Sequence, residues 1–120
     1  MLRAQETKNI VAENLDCPQV VIDELRECSV FVYRGMCSLD SPTPPQQVEK
    51  SVHDFMERAV AGIQKALTYP GPVLIVAHGG VHWAFCHQLK VEHPSKDILH
   101  CVPVHFHFHN EKWKARLLKF

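Results

Sequence analysis

The chain has 120 residues, the size of one compact domain, and we expect a single domain over residues 1–120. Hydrophobic residues make up 46% of it and charged residues 22%, a composition that excludes an intrinsically disordered chain. The 13 Lys and Arg residues balance 13 Asp and Glu residues. No net field therefore draws the protein to nucleic acid or to an anionic membrane, and we expect neither as a partner.

The lengths of the apolar segments and the number and spacing of the cysteines indicate the cellular compartment. No apolar run approaches the roughly 18 residues that span a bilayer, and the N-terminus has no signal-peptide hydrophobic region. The five cysteines are odd in number and form no C-x-x-C pair, which argues against a disulfide framework and against structural zinc. These features favour a reducing compartment, and we expect a cytoplasmic protein.

The first half of the chain is predicted to be mainly helical. Residues 3–14 predict a helix, and residues 20–23 (VVID) suit a short strand. Residues 34–46 contain Gly, Ser, Asp and three prolines, which predicts a loop. Between residues 48 and 67, apolar side chains recur at steps of three and four, which predicts an amphipathic helix of about six turns.

The second half predicts strands and one further helix. Residues 73–77 (VLIVA) form a continuous apolar run typical of a strand buried on both faces. A His-Gly-Gly turn follows, and residues 81–89 predict a helix. Residues 102–108 and 113–118 predict a hairpin. This order of elements predicts an α/β layered domain.

The segment around His78 carries the strongest functional signal. A strand, a tight turn and a helix place backbone N–H groups at a helix N-terminus, where the helix dipole favours anions. Gly79 and Gly80 allow a phosphate to approach the main chain closely. An imidazole there can donate to a phosphoryl oxygen. The alternative is a histidine that merely caps an ordinary turn.

Two motifs together resemble the histidine phosphatase superfamily, which includes phosphoglycerate mutases. They are residues 2–7 (LRAQET) and residues 73–81 (VLIVAHGGV), and the segments between them also match: Leu25-Arg26-Glu27, then Val48-Glu49-Lys50-Ser51 with Phe55 and Arg58. The resemblance covers essentially the whole chain. It implies a three-layer, phosphoglycerate mutase-like α/β fold and no cofactor.

The resemblance also implies roles for individual residues. His78 corresponds to the second, non-nucleophilic histidine of the family, which contacts the phosphoryl group. Arg3 corresponds to a phosphate-binding arginine, and the Gly79 amide would complete the phosphate site. Glu27 falls where the family often has its proton donor to the leaving oxygen, with Glu24 as the alternative. The implied partner is a small phosphorylated metabolite.

One departure from the family pattern limits the expected activity. The family's nucleophile is a histidine in an R-H-G motif on the first strand, and no such motif occurs in this sequence. Without a nucleophile, the covalent phosphohistidine step has no acceptor. The expectation is therefore a C-terminal portion of a histidine phosphatase domain that is inactive by itself. The alternatives are a non-catalytic phosphate-binding domain and a scaffold. The sequence leaves open the substrate and the choice between mutase and phosphatase.

Two further groups of residues are candidate sites. His105, His107 and His109 lie on one face of the predicted strand, about 6–7 Å apart. Adjacent positions on one strand rarely close a tetrahedral metal site, so we predict no metal and a polar strand face whose other side buries Phe106 and Phe108. Cys86 is expected to be a core residue, because a buried thiol is inert unless its environment lowers its pKa.

The apolar run at residues 73–77 leads to a prediction about assembly. In the family, the strand that carries the nucleophile lies beside this one, and its absence would leave backbone N–H and C=O groups unpaired. We predict that a further segment of a longer protein, or a second copy of the chain, covers this flank. Sedimentation of the purified chain as a stable, well-folded monomer in the analytical ultracentrifuge would contradict the prediction.

Overall fold

The core of the protein forms around one long helix. A computed structural model describes residues 2–92 and 102–118, which combine helices with a small sheet. In chain order the elements are α1 (Leu2–Ala12), a short 3-10 helix (Asp23–Leu25), α2 (Val30–Ser38), α3 (Lys50–Ala66), α4 (Gly79–Leu89), β1 (Val104–His109) and β2 (Lys112–Leu117). This mixed α/β content agrees with the predicted fold class.

Helix α3 organises the packing because one of its faces is apolar along its whole length. Residues at three- and four-residue steps point inward, as the sequence predicted, and the remaining face is polar. The 3-10 helix, α2 and α4 all pack against α3. The buried cluster between them consists of Met36, Val52, Phe55, Ala59, Ile63, Val81 and Ala84.

The predicted loop over residues 34–46 is wrong in its first part. Helix α2 extends to Ser38, and only the following residues lack regular structure. The hydroxyl of Ser29 caps this helix by accepting from the Val32 N–H at 3.3 Å. Its last turns bury Met36 completely, and Gly35 lets α3 approach so closely that a Cβ there would lie 2.5 Å from Val52 Cγ2. Burial of Met36 outweighs the weak helix propensity of glycine.

The predicted strand over residues 73–77 does not form: these residues have no regular secondary structure and belong to no sheet among the described residues. Their backbone forms no hydrogen bond with another described backbone group. Ile75 and Ala77 pack against the core, whereas the side chain of Leu74 is 62% exposed. Likewise, the short strand expected at residues 20–23 is absent, since the 3-10 helix begins at Asp23. The apolar pattern alone does not supply the neighbouring strand that a sheet needs.

The predicted hairpin is confirmed. Strands β1 and β2 pair antiparallel through a two-residue turn, Asn110-Glu111, in which both residues have positive φ. The hairpin packs on α4, where the ring of Phe85 contacts Phe106 at a centroid distance of 4.8 Å. Phe108 was expected to be buried as well, but it is 60% exposed, because it lies nearer the hairpin tip.

Helix α1 contributes little to the core. Ala12 is its only buried residue, and Leu2 and Ile10 are each 73% exposed. The predicted end of this helix at residue 14 lies two residues beyond the observed end. No helix in the described part of the chain is long and apolar enough to cross a membrane.

The packing around α3 predicts which phenylalanine stabilises the fold. Phe55 is 5% exposed, whereas Phe31 on α2 is 82% exposed. We expect Phe55→Ala to lower the free energy of unfolding by about 3–5 kcal/mol, because it leaves a cavity in the core. Phe31→Ala, the matched control, should change it by less than about 0.5 kcal/mol. Urea unfolding followed by circular dichroism measures both, and equal effects would contradict this description of the core.

Candidate functional site

The turn at residues 78–80 begins helix α4 as the sequence predicted. His78 is the N-cap residue, with extended backbone angles (φ −130°, ψ 166°), and Gly79 is the first helical residue. The carbonyl of His78 accepts from the His82 N–H at 3.1 Å, which closes the first turn. The imidazole is half-buried and makes no side-chain capping bond to the helix. It therefore lies at the positive end of the helix dipole with its ring nitrogens available.

A carboxylate lies on the N-terminus of α4. Glu27 Oε2 accepts a hydrogen bond from the Gly80 N–H at 3.3 Å. Glu27 Oε1 accepts one from the backbone N–H of the next residue, Cys28, at 3.0 Å. Gly80 is required for this contact, because a Cβ there would collide with Glu27 Oε1 and lie 2.9 Å from Cys28 Sγ. The carboxylate thus satisfies one of the N–H groups that a helix start leaves unpaired.

Helix α3 holds the segment that carries Glu27. The Arg58 guanidinium donates to the backbone carbonyl of Glu24 at 3.0 Å. The 3-10 helix packs closely against Gly62, and a Cβ atom at Gly62 would lie only 2.8 Å from Leu25 Cδ2. Lys65 forms an ion pair with the Glu24 carboxylate at 3.1 Å. Glu24 is therefore directed to α3, whereas Glu27 is directed to α4.

The charges of Arg3 and Glu27 act on the imidazole of His78. Burial lowers the pKa of the His78 imidazole below its ordinary value, the Glu27 carboxylate opposes this by raising it, and the Arg3 guanidinium lowers it again. The three residues come from three separate parts of the sequence. The fold thus brings them within electrostatic range of the α4 N-terminus. At neutral pH the lowered pKa favours a neutral imidazole, which has one N–H to donate.

The cysteines near this site are not nucleophiles at neutral pH. Burial and then the Glu27 charge raise the pKa of the Cys28 thiol to about 11. Burial raises the pKa of the Cys86 thiol to about 11, and its Sγ lies 3.6 Å from His82 Nε2. A thiol that stays protonated is a weak nucleophile, and both positions suit core packing.

Other parts of the described chain offer less chemistry. Among residues 2–92 and 102–118, no group of three or more His, Cys, Asp or Glu side chains is arranged to hold a metal ion. A pocket of about 190 Å³ lies between the end of α2 and the start of α3, and none of the predicted site residues lines it.

Comparison with known proteins assigns the family. The model of the histidine phosphatase superfamily (branch 1) matches residues 1–119. The chain therefore belongs to the histidine phosphatase superfamily. No curated protein and no solved structure shows a significant match to it.

The sequence did not reveal the contact between Gly80 and Glu27. Gly79 was predicted to bind phosphate, but the neighbouring Gly80 donates to Glu27 and must lack a side chain for that contact. The pair of glycines in the motif was the available signal, but both were interpreted only as room for a phosphate. The contact partner, Glu27, lies 53 positions away, so no local pattern reveals it.

The electrostatics predict how His78 should titrate in variants. Glu27→Gln removes a negative charge and should lower the pKa of His78, while Arg3→Gln removes a positive charge and should raise it. Glu24→Gln is the matched control. The Glu24 carboxylate pairs with Lys65, so this variant should leave the pKa of His78 unchanged. Proton NMR titration of the imidazole measures all three. A larger response to Glu24→Gln than to Glu27→Gln would contradict the arrangement.

Proposed function

We propose that this histidine phosphatase superfamily domain binds the phosphoryl group of a small phosphorylated metabolite at the N-terminus of α4. Arg3, His78 and the Gly79 amide are the proposed donors. The observation that carries the proposal is the electrostatic coupling of Arg3, Glu27 and His78 at a helix start. A cation, an imidazole and unpaired N–H groups at one point are the groups that a phosphate needs.

Each residue has a distinct part in the proposed site. The planar guanidinium of Arg3 suits two parallel hydrogen bonds to phosphate oxygens. His78 donates one N–H and, once the phosphate dianion is beside it, gains a proton more readily. The protonated imidazole then stabilises the negative charge of the transferring group.

Glu27 is the proposed proton donor to the leaving oxygen. When a histidine supplied from outside this chain attacks the phosphorus, a proton on the Glu27 carboxyl would pass to the leaving oxygen as the P–O bond breaks and the phosphoryl group is transferred to that histidine. The carboxylate would then return to its bond with the Gly80 N–H. Glu24 is the weaker candidate because Lys65 already neutralises it.

We propose that this chain alone binds phosphate without turning it over. In this family, transfer to a histidine nucleophile is the first chemical step, and none of the nine histidines lies in an R-H-G motif. A strand that supplies such a histidine fits beside residues 73–77, whose backbone pairs with no other described segment. We propose that this strand comes from a longer protein or from a second copy of the chain.

A scaffold function is the second candidate. The observation in its favour is that Glu27 already caps α4, as a purely structural carboxylate would. In that case Arg3 and His78 would be surface groups with no ligand, and phosphate would not change the stability of the protein.

Inorganic phosphate tests the proposed function. At about ten times its Kd, phosphate should stabilise the chain by about 1.4 kcal/mol, which raises the Tm by several degrees. Arg3→Ala and His78→Ala should each abolish this rise. Arg34→Ala is the matched control, because this exposed arginine lies on α2 and should leave the rise intact.

The outcome separates the candidates. A Tm that does not respond to phosphate, or a rise that survives both Arg3→Ala and His78→Ala, would overturn the proposed site and leave the scaffold. Hydrolysis of p-nitrophenyl phosphate by the purified chain, lost in His78→Ala, would overturn the proposal that the chain lacks turnover.

A further inference from the structure

One face of the hairpin consists entirely of basic and imidazole side chains. Three cross-strand pairs lie on it: His105 opposite Arg116, His107 opposite Lys114, and His109 opposite Lys112. Directly opposed residues of an antiparallel pair share a face. All of these side chains are exposed except that of His107, which is half-buried. The other face carries Phe106 and Trp113, whose rings contact Phe85 on α4.

No opposite charge neutralises this face within the described residues. None of its three cations takes part in an ion pair there, although lysines elsewhere in the chain do. The surroundings of His107 likewise contain positive charge and no neighbouring negative charge. Burial, then His105, Arg116, Lys114 and His109, all lower its pKa below the ordinary value, and no acidic group opposes them. In a chain with no net charge, this face is a local concentration of positive charge.

The outer edge of β2 is open among the described residues. The Leu118 N–H donates to the Pro103 carbonyl at 2.9 Å, so the hydrogen-bonded pairs recur at alternate positions and include Lys112, Lys114 and Arg116. The backbone groups of Trp113, Ala115 and Leu117 therefore point away from β1. The sheet has two strands, and no other described backbone pairs with this edge.

We propose that the hairpin binds an extended acidic peptide, which adds as a third strand beside β2 and places alternate carboxylates next to Lys112, Lys114 and Arg116. The spacing supports this partner. Side chains on one face of a strand recur every 6.6–6.8 Å or so, and the same repeat applies to the cations of β2 and to alternate residues of an extended peptide. Main-chain hydrogen bonds supply affinity and the charges supply selectivity. This surface does not depend on the phosphate site.

The charges also argue against other occupants. A second copy of the hairpin would bring like charges into opposition, which disfavours self-pairing at this edge. Three permanent cations attract an anionic membrane only weakly, because each contributes a small electrostatic free energy. Nucleic acid offers phosphates but no backbone N–H and C=O groups that pair with a strand edge.

Fluorescence anisotropy with a labelled (Glu-Thr)4 peptide tests the proposal on the full chain. We expect saturable binding that weakens about tenfold between about 50 and 250 mM salt. The double variant K114E/R116E should reduce affinity at least about tenfold. The charge-matched control R34E/K90E should not, since Arg34 belongs to α2 and Lys90 is the C-cap of α4, so neither residue is part of the hairpin.

A peptide of the same composition but different spacing tests whether the alternation of carboxylates matters. A peptide with the same residues in two blocks, four Glu then four Thr, should bind more weakly, because its carboxylates do not alternate. Equal binding of the two peptides, or equal loss in K114E/R116E and R34E/K90E, would overturn the proposal. Tighter binding to single-stranded oligothymidylate or to phosphatidylserine vesicles than to the alternating peptide would also overturn it. Circular dichroism of each variant establishes that it remains folded.

Discussion

Burial of the apolar stripe of α3 is the constraint on which the rest of the structure depends. Three other elements can cover this stripe only if small residues let their backbones come close. Gly35 admits α2 and Gly62 admits the 3-10 helix, each within distances that a Cβ would not allow. Hydrophobic burial at roughly 25 cal/mol per Å² supplies the driving force, and the polar contacts then select one arrangement. The Arg58 bond to the Glu24 carbonyl is one of them.

The same packing decides which carboxylate reaches the candidate functional site. Glu24 and Glu27 are separated by two residues, yet their environments differ because they lie on opposite sides of one short segment. Lys65 on α3 pairs with Glu24, whereas the N-terminus of α4 receives Glu27. A carboxylate held by backbone N–H groups at a helix start lies close to an imidazole and changes its protonation. Structural support and functional electrostatics therefore act through the same contact.

The hairpin and residues 73–77 differ in whether the described backbone forms hydrogen bonds with them. The hairpin pairs with itself through a local turn, and its apolar face is covered by α4. Residues 73–77 have the composition of a central strand, but none of the described backbone pairs with them. A strand gains stability from hydrogen bonds and contacts on its flanks, and the described residues supply no such hydrogen bonds here. The strand that we propose to carry the R-H-G histidine would supply both this pairing and the nucleophile.

Local patterns in the sequence determined α1, α3, α4, the hairpin and the family, because periodicity, turn residues and short motifs act over a few positions. They also indicated Arg3, Glu27, His78 and Gly79 as candidates. Tertiary structure alone decided the rest. Helix α2 forms where prolines and glycine predicted a loop, because Met36 gains more from burial than Gly35 loses in propensity. The Glu27–Gly80 contact joins positions that are far apart in the chain, and only packing against α3 brings such positions together.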